Sequence, residues 1–278
     1  MSLSGNLNMP LTNTKQPIIG IIGGAGPDAT IDLQIELSKQ MKIKLNAISD
    51  QDHYRVIVDN YTTMPDRSLS LSKNASSPIK HMQETALTLE KMGCNLLAYP
   101  CNTAHAFLPE IQKVLSIPLI DMLAETTNYI KLQPRINKIG ILCTNMTRNL
   151  NLYKELQAGL EIATCYPEED HQAQVMQAIF AVKAGYTTRP IKKLAHQTKI
   201  IQYLQQESSL PYNIDSFKSS PKELFEAAAQ SLVVQQGVDA ILLGCTEIPL
   251  CLKEFYTTQV INPTKILAAA IIDKATTF

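Results

Sequence analysis

The chain has 278 residues, long enough for one large globular unit or two smaller ones, each with its own core. Lys+Arg and Asp+Glu are both 25, so no net field recruits nucleic acid or an anionic membrane. Hydrophobic residues at 45 % and charged residues at 18 % describe an ordinary globular protein rather than a disordered or membrane-embedded one.

Residues 1–16 are polar and without pattern, as expected of a mobile tail, and no basic-then-apolar leader opens the sequence. The best apolar run, Ile266–Ile272, is far short of a membrane span. Cys94, Cys101, Cys143, Cys165, Cys245 and Cys251 in such a chain read as reduced thiols of a cytoplasmic protein.

Pro17–Ile22 is a first buried strand, followed by Gly23-Gly24-Ala25-Gly26 and by Pro27, which suits a first helical position. A glycine loop before a helix either holds an anion on its N–H groups or only turns tightly; the dinucleotide spacing is absent. Val56-Ile57-Val58 begins a second strand, with Pro65-Asp66-Arg67 in the loop behind it. Ser76-Ser77-Pro78 opens a helix whose apolar face is Ile79, Met82, Ala86 and Leu89. A third strand, the apolar run after Asn95, leads to Cys101, then to a helix through roughly Pro109–Leu115 and a short strand over Ile117–Asp121.

From Lys138 the landmarks recur in the same order. Ile139-Gly140-Ile141-Leu142 repeats Ile19-Gly20-Ile21-Ile22, with Cys143-Thr144-Asn145 in place of the glycine loop. Ser219-Ser220-Pro221, with Glu223 completing a capping box, repeats Ser76-Ser77-Pro78. Gly237-Val238-Asp239, an apolar run and Cys245 repeat Gly93-Cys94-Asn95, an apolar run and Cys101, with eight residues from Gly to Cys each time. Val260-Ile261-Asn262 repeats Leu119-Ile120-Asp121. Such a repeat implies an internal duplication: an α/β protein of two pseudo-symmetric lobes with mainly parallel sheets and a cleft between them. The first lobe is expected over 17–121 plus 262–278 and the second over 122–261, with an extra polar segment near 187–219. A lid, an interface arm or a surface elaboration all fit that segment, the last two best.

Parallel strands present their carboxyl ends to the ligand crevice, so Cys101 and Cys245 approach one ligand from two sides. Two such thiols can invert a stereocentre beside a carboxylate, the thiolate removing a proton and the thiol supplying one on the opposite face. Asn102, Thr103, Thr144 and Thr246 offer short polar groups to stabilise the carbanion. The other cysteines are packing residues by default. No metal-ligand spacing surrounds Cys101 or Cys245.

The stretches Ile21–Pro27, Pro65-Asp66-Arg67, Pro100–His105, Val182-Lys183-Ala184-Gly185 and Leu243–Glu247 resemble the aspartate/glutamate racemase family, its aspartate racemase branch above all. The similarity runs through most of residues 18–272. It implies a racemase that uses no cofactor, with Cys101 and Cys245 as the catalytic pair. It further implies Arg67 and Lys183 on the distal carboxylate of an acidic amino acid, Asn102, Thr103, Thr144 and Thr246 on the α-carboxylate and amine, and a homodimer. His105 and Glu247 stand where each either tunes a thiol or merely caps and packs. The chain departs from the family pattern at Ala25, where Met is usual, after Thr144, where Gly is usual, and in the length of 187–219. Racemisation of glutamate, isomerisation or decarboxylation of a related diacid, and silent binding of a dicarboxylate are the alternatives.

Overall fold

A computed structural model describes residues 16–72, 76–158, 162–207, 217–256 and 258–278. Of the expected tail only Gln16 falls within that range, and 208–216 of the extra segment fall outside it. The first half runs β1 (Ile18–Gly23), α1 (Pro27–Lys44), β2 (Arg55–Asn60), α2 (Arg67–Ser72), α3 (Ile79–Lys91), β3 (Leu96–Ala98), α4 (Leu108–Gln112), β4 (Leu119–Ile120) and α5 (Met122–Lys131). The second runs β5 (Lys138–Cys143), α6 (Asn145–Asn149), α7 (Glu155–Ala158), β6 (Ala163–Cys165), α8 (Glu169–Lys183), α9 (Leu194–Glu207), α10 (Pro221–Gln236), β7 (Ala240–Gly244), β8 (Gln259–Ile261) and α11 (Pro263–Ala275).

The strands form two parallel four-stranded sheets ordered β2-β1-β3-β4 and β6-β5-β7-β8. Identical order in both halves is what a duplicated unit produces. β1 is apolar along its whole length because helices cover both of its faces. Ile19 and Ile21 pack with Leu33 and Leu37 of α1, while Ile18 and Ile22 face Met82, Ala86 and Leu89 of α3. In the second sheet Ile139 and Ile141 share a core with Ile130 of α5. Leu142, Ile241 and Leu243 meet α8 and α10 on the opposite face.

The repeated landmarks have identifiable tasks. The Asn95 side chain accepts from Ile18 N (2.8 Å), and Asp239 accepts from Asn137 N and Lys138 N (2.8 and 2.9 Å). Each thereby fixes the start of its lobe's two central strands. Asp121 caps α5 through Leu123 N and Ala124 N, and Asn262 caps α11 through Thr264 N. Ser220 and Glu223 form the expected capping box of α10, and Gly237 ends that helix in the left-handed conformation (φ 62°).

The last helix of each half crosses to the other half's sheet. α11 puts Leu267, Ala268, Ile271 and Ile272 into the core beside Ile19 and Ile21. α5 puts Ile130 beside Ile139, and α5 and α11 pack on one another. β1 starts at Ile18 rather than Pro17, β4 is confined to Leu119–Ile120 within the expected 117–121, and boundaries differ in two further places. Arg67 opens α2 rather than lying in the preceding loop. The helix after Cys101 is Leu108–Gln112, preceded by a tighter turn over Thr103–Phe107. Pro109 suits only the first turn of a helix, so regular α structure starts there. Among the described residues no helix is long and apolar enough to cross a membrane.

Candidate active site

Both sheets reverse their winding between the two central strands, β1 and β3 in one and β5 and β7 in the other. Ligands of open α/β sheets bind at the carboxyl ends of the strands flanking such a point. Cys101 follows β3 and Cys245 follows β7, and both line one cleft of about 540 Å³ between the lobes. They are 9 % and 6 % exposed, so each thiol meets the cleft through a small opening in a buried wall. Arg67, Asn102, Thr103, Thr144, Lys183, Thr246 and Glu247 line the same space. Of the residues singled out in the sequence, His105 alone does not line it.

Glu247 organises the Cys245 side. The Cys245 S–H donates to Oε2 at 3.0 Å, and Lys183 Nζ lies 2.7 Å from Oε1. Burial and the neighbouring carboxylate push the Cys245 thiol well above its ordinary range, while Lys183 opposes them. Burial alone would raise Glu247, yet Lys183 and the S–H donor hold it below the usual carboxylate value. Burial alone would likewise lower Lys183, but Glu247 and Cys245 hold it above the usual ammonium value. The resting arrangement is therefore a protonated Cys245, an ionised Glu247 and a charged Lys183. Gly26, at φ 105°, packs directly on this carboxylate: a β-carbon there would lie 2.5 Å from Glu247 Oε1. The glycine loop thus meets an anion, and the anion is a side chain of the opposite lobe.

The Cys101 side carries a cation instead. Arg67 is close enough to Cys101 for their charges to interact, and although burial opposes its charge, Cys101, Tyr99, Asp66 and Glu247 raise its pKa. Among the described residues its guanidinium makes one hydrogen bond, a long one from Nη1 to Pro65 O at 3.4 Å, and its buried Nε has no partner. His105 lies behind the cleft wall. Its Nδ1 donates to Cys101 O at 2.8 Å, and its Nε2 accepts from Met122 N at 2.9 Å. Those two bonds require the neutral Nδ1–H tautomer, and burial lowers its pKa in the same sense despite Asp121 nearby. The ring fixes the Cys101 backbone and does not touch the thiol.

Polar groups join the lobes at the floor. Thr103, Thr144 and Thr147 place their three hydroxyl oxygens 3.1 Å from one another. Thr246 Oγ1 donates to Pro100 O at 3.3 Å. Tyr153 O–H donates to Asn102 Oδ1, which leaves the buried Asn102 Nδ2 without a partner. A buried amide with one end anchored and the other unsatisfied is a donor awaiting an acceptor. Thr147 and Tyr153 are residues that sequence reasoning missed. Thr147 carried a weak signal, standing three residues after a helix-capping Thr144, whose Oγ1 accepts from Thr147 N. Tyr153 carried none.

The extra segment also reaches the site. α9 packs against α8 and against α2, the short helix that Arg67 opens, so it spans the mouth between the lobes. Its His196, Lys199, Ile200 and Tyr203 line the cleft. α9 thus walls part of the site, in addition to whatever surface or interface role the rest of 187–219 has.

Comparison with known proteins agrees with this architecture. The family described as Asp/Glu/Hydantoin racemase matches residues 22–201. A broad-specificity amino-acid racemase of Bacillus subtilis is 30 % identical over 171 residues, 60 % of this chain and 71 % of that one. The structure of Picrophilus torridus aspartate racemase superposes with a TM-score of 0.72 at 27 % identity, covering 94 % of each chain. An aspartate racemase homologue from Pyrococcus horikoshii gives a TM-score of 0.65 at 19 % identity, covering 94 % of this chain and 100 % of that one, a likeness of fold.

Proposed function

The chain belongs to the Asp/Glu/hydantoin racemase family and is an isomerase of amino acids, and from that premise we propose that it interconverts L- and D-aspartate by proton transfer between Cys101 and Cys245. The observation that carries this reading is the pair of thiols at equivalent strand ends, facing one cleft from two lobes. A second is the incompletely bonded guanidinium of Arg67 in that cleft, which suits a side-chain carboxylate.

The α-carboxylate and ammonium of the substrate sit at the floor, where Asn102 Nδ2 and the hydroxyls of Thr103, Thr144 and Thr246 are at hand. One cysteine, as thiolate, takes the Cα proton: the C–H bond breaks, an S–H bond forms, and the electron pair delocalises onto the α-carboxylate. The floor donors stabilise that charge where it develops. The thiol on the opposite face then gives its proton to Cα, leaving its sulfur as the thiolate. Each passage reverses the two roles, and proton exchange of the thiols with solvent, or the return reaction, restores them. In the resting site the proton of the second thiol is on Cys245, held by Glu247. Neighbouring Lys183 balances the carboxylate that holds it. We assign His105 a positioning role through the Cys101 backbone.

A wider acidic range, glutamate included, is the second reading, favoured by the 540 Å³ cleft and by the broad specificity in the Bacillus subtilis relative's name. Incubation with a panel of L-amino acids in heavy water distinguishes them. Aspartate should lose its Cα proton fastest; binding without any exchange would refute racemisation of that ligand.

A further inference from the structure

The distal carboxylate of an acidic substrate needs cations, and the family resemblance nominates Arg67 and Lys183. In this chain Lys183 is already committed. Its ammonium lies 2.7 Å from the Glu247 carboxylate, which in turn accepts the Cys245 S–H. A neutralised lysine within a charge pair attracts a second carboxylate far less than a lone one does. Of those two, Arg67 is left for the side-chain carboxylate, and one carboxylate can accept from more than one donor.

The other lysine lining the same cleft is Lys199. Among the described residues it has no carboxylate within ion-pair distance; its contact is the ring of Tyr203, 6.0 Å from the centroid. That ring is itself fixed, stacked on Phe180 of α8 at 5.3 Å and 7°. One turn before Lys199 in α9, Tyr186 O–H meets His196 Nδ1 at 3.1 Å, and Ile200 and Leu204 are buried in the second lobe's core. The helix is therefore a rigid part of the second lobe, and it also packs on α2, which opens with Arg67. A lysine without an ion-pair partner among the described residues, on a fixed helix, and an incompletely bonded guanidinium thus line one cleft.

We propose that Lys199, on the inserted helix α9, is a specificity-determining residue that completes with Arg67 the site for the substrate's side-chain carboxylate. This rests on the reading of the chain as a racemase of acidic amino acids. α9 then does two things at once: it walls off the cleft mouth and selects for a second negative charge.

Lys199→Gln and Lys199→Arg test it, with kcat and KM measured for aspartate and glutamate and Cα exchange measured for alanine. Lys199 is exposed on a helix surface, so both variants should fold. In Lys199→Gln the KM for the acidic substrate should rise about tenfold with kcat nearly unchanged, the size of a lost charge-assisted contact at a partly solvated site. Lys199→Arg should recover most of that loss, and alanine exchange should not change. An unaltered KM in Lys199→Gln, or an equal loss for alanine, overturns the assignment while the acidic-substrate reading survives. A wild-type protein that exchanges no acidic amino acid overturns both.

Discussion

Glu247→Gln separates the electrostatic role of this carboxylate from its packing role. Glutamine keeps the shape that fits against Gly26 and removes only the charge beside Cys245. The Cys245 sulfur is 3.0 Å from the carboxylate oxygen. Two unit charges about 4 Å apart at an effective dielectric of about 20 interact by roughly 4 kcal/mol, or about 3 pH units. Lys183, 2.7 Å from the same carboxylate, loses its partner in the variant and acts on the thiol in the same direction. The sign follows directly: an anion next to a thiolate raises the thiol pKa, so its removal lowers it. The alkaline limb of the bell in kcat/KM against pH, set by the thiol that must keep its proton, should move to lower pH by at least about one unit. The two enantiomers are equal in energy, so kcat/KM must stay equal in both directions; the effect is a displaced optimum, not a preferred hand. Chiral chromatography of L- and D-aspartate turnover across the pH range measures it. A profile at its original position, whatever its height, would refute the claim that Glu247 holds the proton on Cys245.

Two further substitutions probe the substrate contacts. Tyr153→Phe removes the hydroxyl that anchors Asn102 Oδ1, so the amide can turn and present oxygen to the α-carboxylate. KM should rise about fivefold to tenfold, with a stability loss of about 1 kcal/mol, as for one buried hydrogen bond; a drop in melting temperature with unchanged KM would make Tyr153 merely structural. Arg67→Ala should cut kcat/KM for aspartate by the equivalent of about 2–5 kcal/mol. Unchanged aspartate kinetics in that variant would remove Arg67 from the site.

Much of the fold was legible because the signals were repeated. A glycine, then Asn95 or Asp239, then an apolar run ending near a cysteine marks a central strand twice over, and the side chains of Asn95 and Asp239 stitch those strands in place. The cleft residues next to each cysteine followed from strand polarity alone. What stayed hidden was set by tertiary contact. Nothing near Tyr153 in sequence points to Asn102, 51 residues away and in the other lobe. Standing four residues from Cys101, His105 could as well tune the thiol as cap and pack, and that spacing puts its ring on the carbonyl, not the sulfur. The polar composition of 187–219 suggested a surface segment. Its Ile200 and Leu204, two apolar positions four apart, are what seat α9 on the core and bring Lys199 and Tyr203 to the cleft.

Two-thiol proton transfer is tested most directly by single Cys101→Ser and Cys245→Ser variants beside the wild type in heavy water. In the wild type, early product should carry deuterium at Cα while the remaining substrate carries almost none, because the proton is removed by one sulfur and replaced by the other. Both variants should lose racemisation in both directions, and each should still eliminate a β-substituted analogue of one hand only, the two preferring opposite hands. Substantial racemisation of aspartate by either single variant would contradict the account.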